Sequence, residues 1–432
     1  MRIHIALALY VSLTAAASAE DTNNMDWAAI HAAGIGADER QNHEQALEYF
    51  TQSWSSALTP EQQGVSANDI GQAYRELKRP KQAKVWLERA WHIWRENPGA
   101  NRHLAVTASS LAEVYRDTGD YAAAEALLRE ALGACTNDLD SADAIRNDLA
   151  DLLREEGRST EARNLFSASL QRDGISLQQR VNALTGLADI DRQQGNREAS
   201  TKEWNEVLEI SRSYRDDLSE GIASRGLALL WLSTGNLARA EPLFRRALAI
   251  VENNPAAAPQ DVATALFNMA QLYRAQNKFA LAEDAWSKAL QLERTVFGDL
   301  HPQIATVMAM LAEVYSKLGE HNLARDYATN AVDSMRSLFG ENAVPTAVAF
   351  LNRATVEQEL GDPGAAVKDY ERAFAITRAL APHSELQRTL IERYAGLLKT
   401  MHRNREAKEI SMLTFVPDGT VPCKMCDNPS PQ

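Results

Sequence analysis

Apolar residues recur along the chain at the spacing of a helix face. Ala108, Leu111, Ala112 and Tyr115 fall at i, i+3, i+4 and i+7, the pattern of an amphipathic helix. Gly119 and Asp120 interrupt it. Glycine tolerates the left-handed backbone of a tight turn, and aspartate caps the helix that follows. Ala124, Leu127, Leu128 and Ala131 then mark a second apolar face. Two helices joined by so short a turn predict an antiparallel hairpin. The small residues Ala112 and Ala124 let its backbones approach, and Leu128 fills the space beside them.

The hairpin recurs. A small residue followed twelve positions later by another appears ten times. The pairs begin with Gly34 and Ala46, Gly71 and Ala83, Ala112 and Ala124, Ala150 and Ala162, and Ala188 and Ser200. They continue with Ala228 and Ala240, Ala270 and Ala282, Ala312 and Ala324, Ala354 and Ala366, and Ala395 and Ala407. First members are spaced 37 to 42 residues apart. A fixed period of this size marks stacked repeats, each burying its apolar face against its neighbours. Gly119, Gly157, Gly195, Gly235, Gly319 and Gly361 supply the turn in six hairpins, and Asn277 in another. A large residue follows the second small one by four positions, among them Phe50, Leu87, Phe166, Trp204, Phe244, Trp286 and Tyr370. Pro363 suits the first turn of its helix, whereas Pro242 lies deeper and is expected to cost a hydrogen bond or a small kink.

The pattern Leu111-Ala112-x-x-Tyr115, then Ala124-x-x-x-Leu128-x-x-Ala131, resembles tetratricopeptide repeats. From residue 235 to about 380 the likeness is closer to kinesin-light-chain-type repeats. Its carriers are the run 240–248, the 42-residue period, and Phe297-Gly298-Asp299-Leu300-His301-Pro302 between helices. The resemblance spans about residues 27–413. It implies an all-α fold, a right-handed superhelical solenoid of about ten helix-turn-helix hairpins. It also implies a non-catalytic scaffold that binds a peptide segment or a protein in a concave groove lined by the first helix of each hairpin. Asp191 and Glu357 depart from the pattern where an aromatic is usual, Ser200 replaces alanine, and Ala328 and Ser411 replace the large packing residue. Looser hairpins are expected there.

The groove positions lie three and two before, then one and four after, the first small residue. They select Asn68, Asn147, Asn268 and Asn352, then Gln72 and Gln271 with Asp151 and Asp189, then Arg75, Arg116, Arg154, Arg192 and Arg274. Asn and Gln can bond an extended peptide backbone at both donor and acceptor. An arginine row would attract carboxylates and stack on aromatics. The competing reading is a solvated face with pairs along each helix, Glu113 with Arg116 and Asp151 with Arg154. The carboxylate clamp of co-chaperone repeats is not matched, since no combination of Lys, Asn and Arg recurs at its positions. Trp54, Trp86, Trp91 and Trp94 read first as packing between repeats and second as an aromatic patch for a partner.

Composition refines this picture. Net charge is −13 over 432 residues, which disfavours a nucleic-acid or anionic-membrane partner. A short basic start, a mostly apolar run and Ala17-Ser18-Ala19 read as a signal peptide over 1–19. The mature chain is then exported, to a periplasm or outside the cell, with no membrane span. Residues 20–415 form the repeat array, and its charged last segment, 403–413, suits the polar cap a stacked array requires. Residues 416–432 are a Pro-rich tail. The tail carries Cys423 and Cys426 as a CxxC, read as a local disulfide in an oxidising compartment. A redox- or metal-linked accessory role through that motif is the alternative function, and a self-assembling structural protein a third. Cys135 reads as a small core residue. No HExxH, GxSxG, GxxxxGK[ST] or GxGxxG occurs, so neither catalytic residues nor a cofactor or metal are expected.

Overall fold

The computed structural model describes residues 26–413 except 98, 136, 137, 256 and 383. The predicted signal peptide and the tail with Cys423 and Cys426 lie outside the described residues. Within them are twenty α-helices and no strand, arranged as ten helix-turn-helix hairpins. The first helices are α1 (Trp27–Glu39), α3 (Pro60–Glu76), α5 (Asn101–Asp117), α7 (Leu139–Glu155) and α9 (Leu177–Gln193), then α11 (Asp217–Ser233), α13 (Pro259–Ala275), α15 (Pro302–Leu318), α17 (Val344–Glu359) and α19 (Glu385–Thr400). The second helices are α2 (His43–Ser56), α4 (Pro80–Arg95), α6 (Tyr121–Ala134), α8 (Ser159–Leu170) and α10 (Arg197–Tyr214), then α12 (Leu237–Glu252), α14 (Phe279–Phe297), α16 (His321–Phe339), α18 (Pro363–Leu380) and α20 (Asn404–Met412). The chain divides into two compact units with the boundary between Glu203 and Trp204.

Local chemistry explains the hairpin ends. Asp120 caps α6 by accepting the Ala123 N–H at 3.1 Å. Gly119 has φ +80°, a conformation that side chains with a Cβ resist. Asn277 takes the same role at φ +59°. The hairpins without a turn glycine or asparagine use Gln41, Lys78 and His402 instead, at φ +59°, +57° and +60°. Pro363 opens α18, and Pro242 sits inside α12, as the sequence indicates.

The small-residue pairs do what their spacing implies. Of their twenty members, Ala46, Ala83, Ala124, Ala162, Ala188, Ala228, Ala240, Ala270, Ala282, Ala324, Ala354, Ala366 and Ala407 are all fully buried. A Cβ added at Gly34 would stand 2.6 Å from the Phe50 ring, and one at Gly71 2.6 Å from Leu87. The close approach also operates between hairpins. Gly186 of α9 accepts the Phe166 ring of α8, and Gly226 of α11 accepts the Trp204 indole of α10. The core therefore runs from hairpin to hairpin within each unit, and Cys135 is part of it at 1% exposure. Burial pushes the Cys135 thiol up to about 11, which keeps it protonated and unreactive.

Candidate functional site: the first-helix face

Successive first helices are knit side by side through polar side chains. In the first unit the Trp27 indole N–H donates to Ser66 at 2.9 Å, and His31 Nε2 lies 3.2 Å from Asp69. Thr107 donates to Asn68 Oδ1 at 3.1 Å, and Gln72 donates to Ser110 at 3.3 Å. Arg75 pairs with Glu113, Ser109 donates to Asp148, and Arg116 lies 3.4 Å from Glu155. Asn147 Nδ2 donates at 3.0 Å to both the backbone carbonyl and the side chain of Gln179. In the second unit Arg274 holds Glu313 at 2.9 Å, Lys317 holds Glu359 at 2.6 Å, and Arg393 donates to Thr355 at 3.1 Å.

Most of the candidate groove residues are thus already engaged. Asn68, Asn147 and Asn268 are buried; Gln271 and Asn352 are half-buried. Arg75, Arg116 and Arg274 reach across to the next first helix. Arg154 and Arg192 instead turn back on their own helices, to Asp151 at 3.1 Å and Asp189 at 3.2 Å. Of the two intrahelical pairs read from spacing, Asp151–Arg154 is present. Glu113, however, is held by Arg75, because a neighbouring helix packs close enough to compete for it.

Buried carboxylates form a second network, on the flanks between hairpins. Asp191, 2% exposed, receives Arg163 at 3.0 and 2.6 Å and Asn196 at 2.8 Å. Glu357, 6% exposed, receives Arg325 at 3.0 Å. These are the two positions where the repeat usually places an aromatic. Each arginine stands one residue after the second small residue of the preceding hairpin. In the equivalent place Tyr315 donates to Glu283 at 2.9 Å. One register position therefore accepts either a tyrosine with a glutamate partner or a carboxylate with an arginine partner. The expected looseness is met here by charge-assisted hydrogen bonds. Burial opposes ionisation of Asp191, but Arg163 holds its carboxyl below the usual range. Beside it, burial and then the Asp191 charge push Glu203 up to about 7. Spacing had not flagged Asp143, Glu220 or Asp369, which are also buried and clasped by Arg172, Arg246 and Arg353. In these three the arginine belongs to the same hairpin as its carboxylate, 29, 26 and 16 residues away.

Of the four N-terminal tryptophans, Trp91 and Trp94 are buried. Trp54 and Trp86 meet edge to face at 5.2 Å, with Arg89 over both rings. Among the described residues no cluster of His, Cys, Asp and Glu is placed to hold a metal ion, and no helix is long and apolar enough to cross a membrane.

One tetratricopeptide repeat family model matches residues 61–137, 179–253 and 261–337, and a second such model matches 346–382. These stretches cover more than half of the chain, and the protein belongs to the tetratricopeptide repeat family. A Rap protein solved with competence and sporulation factor is similar in fold, at TM-score 0.56 and 12% identity, over 82% of this chain and 97% of that one. BtubC (BKLC) from P. vanneervenii aligns at 21% identity and TM-score 0.41 over 56% of this chain and 98% of that one. A Podosopora anserina protein with nearly identical kinesin-light-chain TPR-like repeats aligns at 16% identity and TM-score 0.38, over 44% and 92%. No curated protein matches the chain.

Proposed function

We propose that this protein is an exported, non-catalytic scaffold that holds a segment of another protein along its first-helix face. The observation that supports this most directly is the cross-helix bonding of that face. Side chains already fixed by neighbours lose little freedom when a ligand arrives, which favours binding. Gln271 and Asn352 stay half-buried in the second unit, with amide groups suited to an extended backbone. Tetratricopeptide repeats generally act by binding proteins or peptides, and the scaffold reading follows the family. Export rests on the residue 1–19 pattern alone.

Arg154 and Arg192 give the cleanest test. Their carboxylate partners lie on their own helices, so reversing them leaves the ties between helices in place. The Arg154→Glu/Arg192→Glu protein should keep its far-ultraviolet circular dichroism and change its capture of the native partner, identified by crosslinking in the native compartment. Unchanged capture refutes the groove reading.

A further inference from the structure

The first-helix face of the first unit is acidic in a way the second is not. Five register positions define it: three and two before, and one, four and five after, the first small residue. At these positions α1, α3, α5, α7 and α9 carry ten carboxylates against four arginines. At the same positions α11, α13, α15, α17 and α19 carry three carboxylates against five cations. The overall charge of −13 therefore does not explain the first unit's face, because the second unit's face has the opposite sign.

Arginine there does not present free positive charge. Arg75, Arg116, Arg154 and Arg192 each hold a carboxylate. Among the carboxylates beyond those four, Asp117 is exposed, and Glu76 has only the edge of Arg75 at 3.5 Å. One buried atom asks for the same chemistry. Asn147 lies on this face at 1% exposure, and its Oδ1 has no donor. The orientation of that amide is fixed, because the Gln179 carbonyl can only accept, so the nitrogen must face it. What remains is a buried amide acceptor without a donor, on a face where carboxylates outnumber cations; the first asks for an N–H and the second for positive charge.

We propose that this face selects an extended, Lys- or Arg-bearing segment of a partner protein. The proposal rests on the first-helix face being the binding surface. It reverses the attraction for carboxylates that the arginine row suggests in the sequence, because those arginines are consumed by the fold.

The test uses the full chain and two fluorescein-labelled twelve-residue peptides of identical apolar content, one with four lysines or arginines, the other with four glutamates. Fluorescence anisotropy should show the basic peptide binding at least tenfold more tightly, with affinity falling as salt rises. Glu76→Gln with Asp117→Asn should weaken it at least fivefold. Glu48→Gln with Glu96→Gln removes two exposed charges from the second-helix side of the same unit and should cost less than twofold. The assignment is overturned if the acidic peptide binds as well, if neither binds, or if the control pair costs as much as the groove pair. Failure of the scaffold reading looks different. There, Arg154→Glu/Arg192→Glu leaves native capture unchanged. If that variant alters capture while peptide charge makes no difference, only the charge assignment falls. If both hold, the variant should strengthen capture, since it removes the positive charge that opposes a basic segment.

Discussion

Arg163→Met isolates the worth of the ion pair that stands in for an aromatic. The methionine keeps most of the apolar stem and removes the guanidinium. Asp191 is 2% exposed and would be left with the Asn196 amide and the neighbouring Glu203 carboxyl. Breaking a buried pair by deleting one partner costs about 3–5 kcal/mol, most of it the uncompensated charge. Arg163 is itself one-third exposed, so water can partly replace it, and the low end of about 3 kcal/mol is expected. A repeat array need not unfold in one step, so a local readout isolates this effect best. Hydrogen exchange of the α9 amides should accelerate roughly 100-fold, since each 1.4 kcal/mol is about tenfold. Asp191→Tyr with Arg163→Glu recreates the Tyr315–Glu283 pairing and should recover most of that loss. If Arg163→Met changes α9 exchange less than about fivefold, or the exchanged pair is as damaging as the single change, the equivalence of the two pairings is wrong.

Gly226→Ala places a methyl against the buried Trp204 indole and should cost about 1–3 kcal/mol, read as a lowered urea midpoint, because the ring cannot retreat from a packed core. Lys78→Gly and His402→Gly relieve positive φ in exposed turns and should each stabilise by up to about 1 kcal/mol, measured by thermal unfolding; a loss would contradict the strain argument. Glu293 is 3% exposed with an unpartnered Oε2, and burial pushes its carboxyl above the usual range. Its neutral form is the one the fold accepts, so wild-type stability is fully present below about pH 4.3 and is lost as pH rises through the folded value. Glu293→Gln should therefore be more stable than wild type at pH 7 and close to it at pH 4, and equal stability at pH 7 would refute the reading.

Much of the fold was legible because helical hairpins are local. The twelve-residue spacing of small residues fixes which faces meet inside a hairpin, and the ten pairs correspond to ten hairpins, α1–α2 to α19–α20. The turn glycines were equally plain, since their chemistry is that of a single backbone position. Lys78 and His402 were not, because those residue types have no particular preference for a left-handed turn and are held there by the helices on either side.

The residues at each first-helix register could be read from the sequence too, but not their state. Spacing could propose Arg116 with Glu113 on one helix; only packing of α3, α5 and α7 side by side decides that Glu113 goes to Arg75 and Arg116 to Glu155. The same holds for Asp191 and Glu357, which look like weak points in a single repeat and become buried ion pairs once the preceding hairpin supplies Arg163 and Arg325. By itself the sequence determined the repeat and the all-α class, because both depend on residues within about forty positions of one another. The tertiary structure decided which charges on the first helices are spent and which remain. A side-chain ion pair is a contest between partners at similar distances, and only the placement of neighbouring helices settles it.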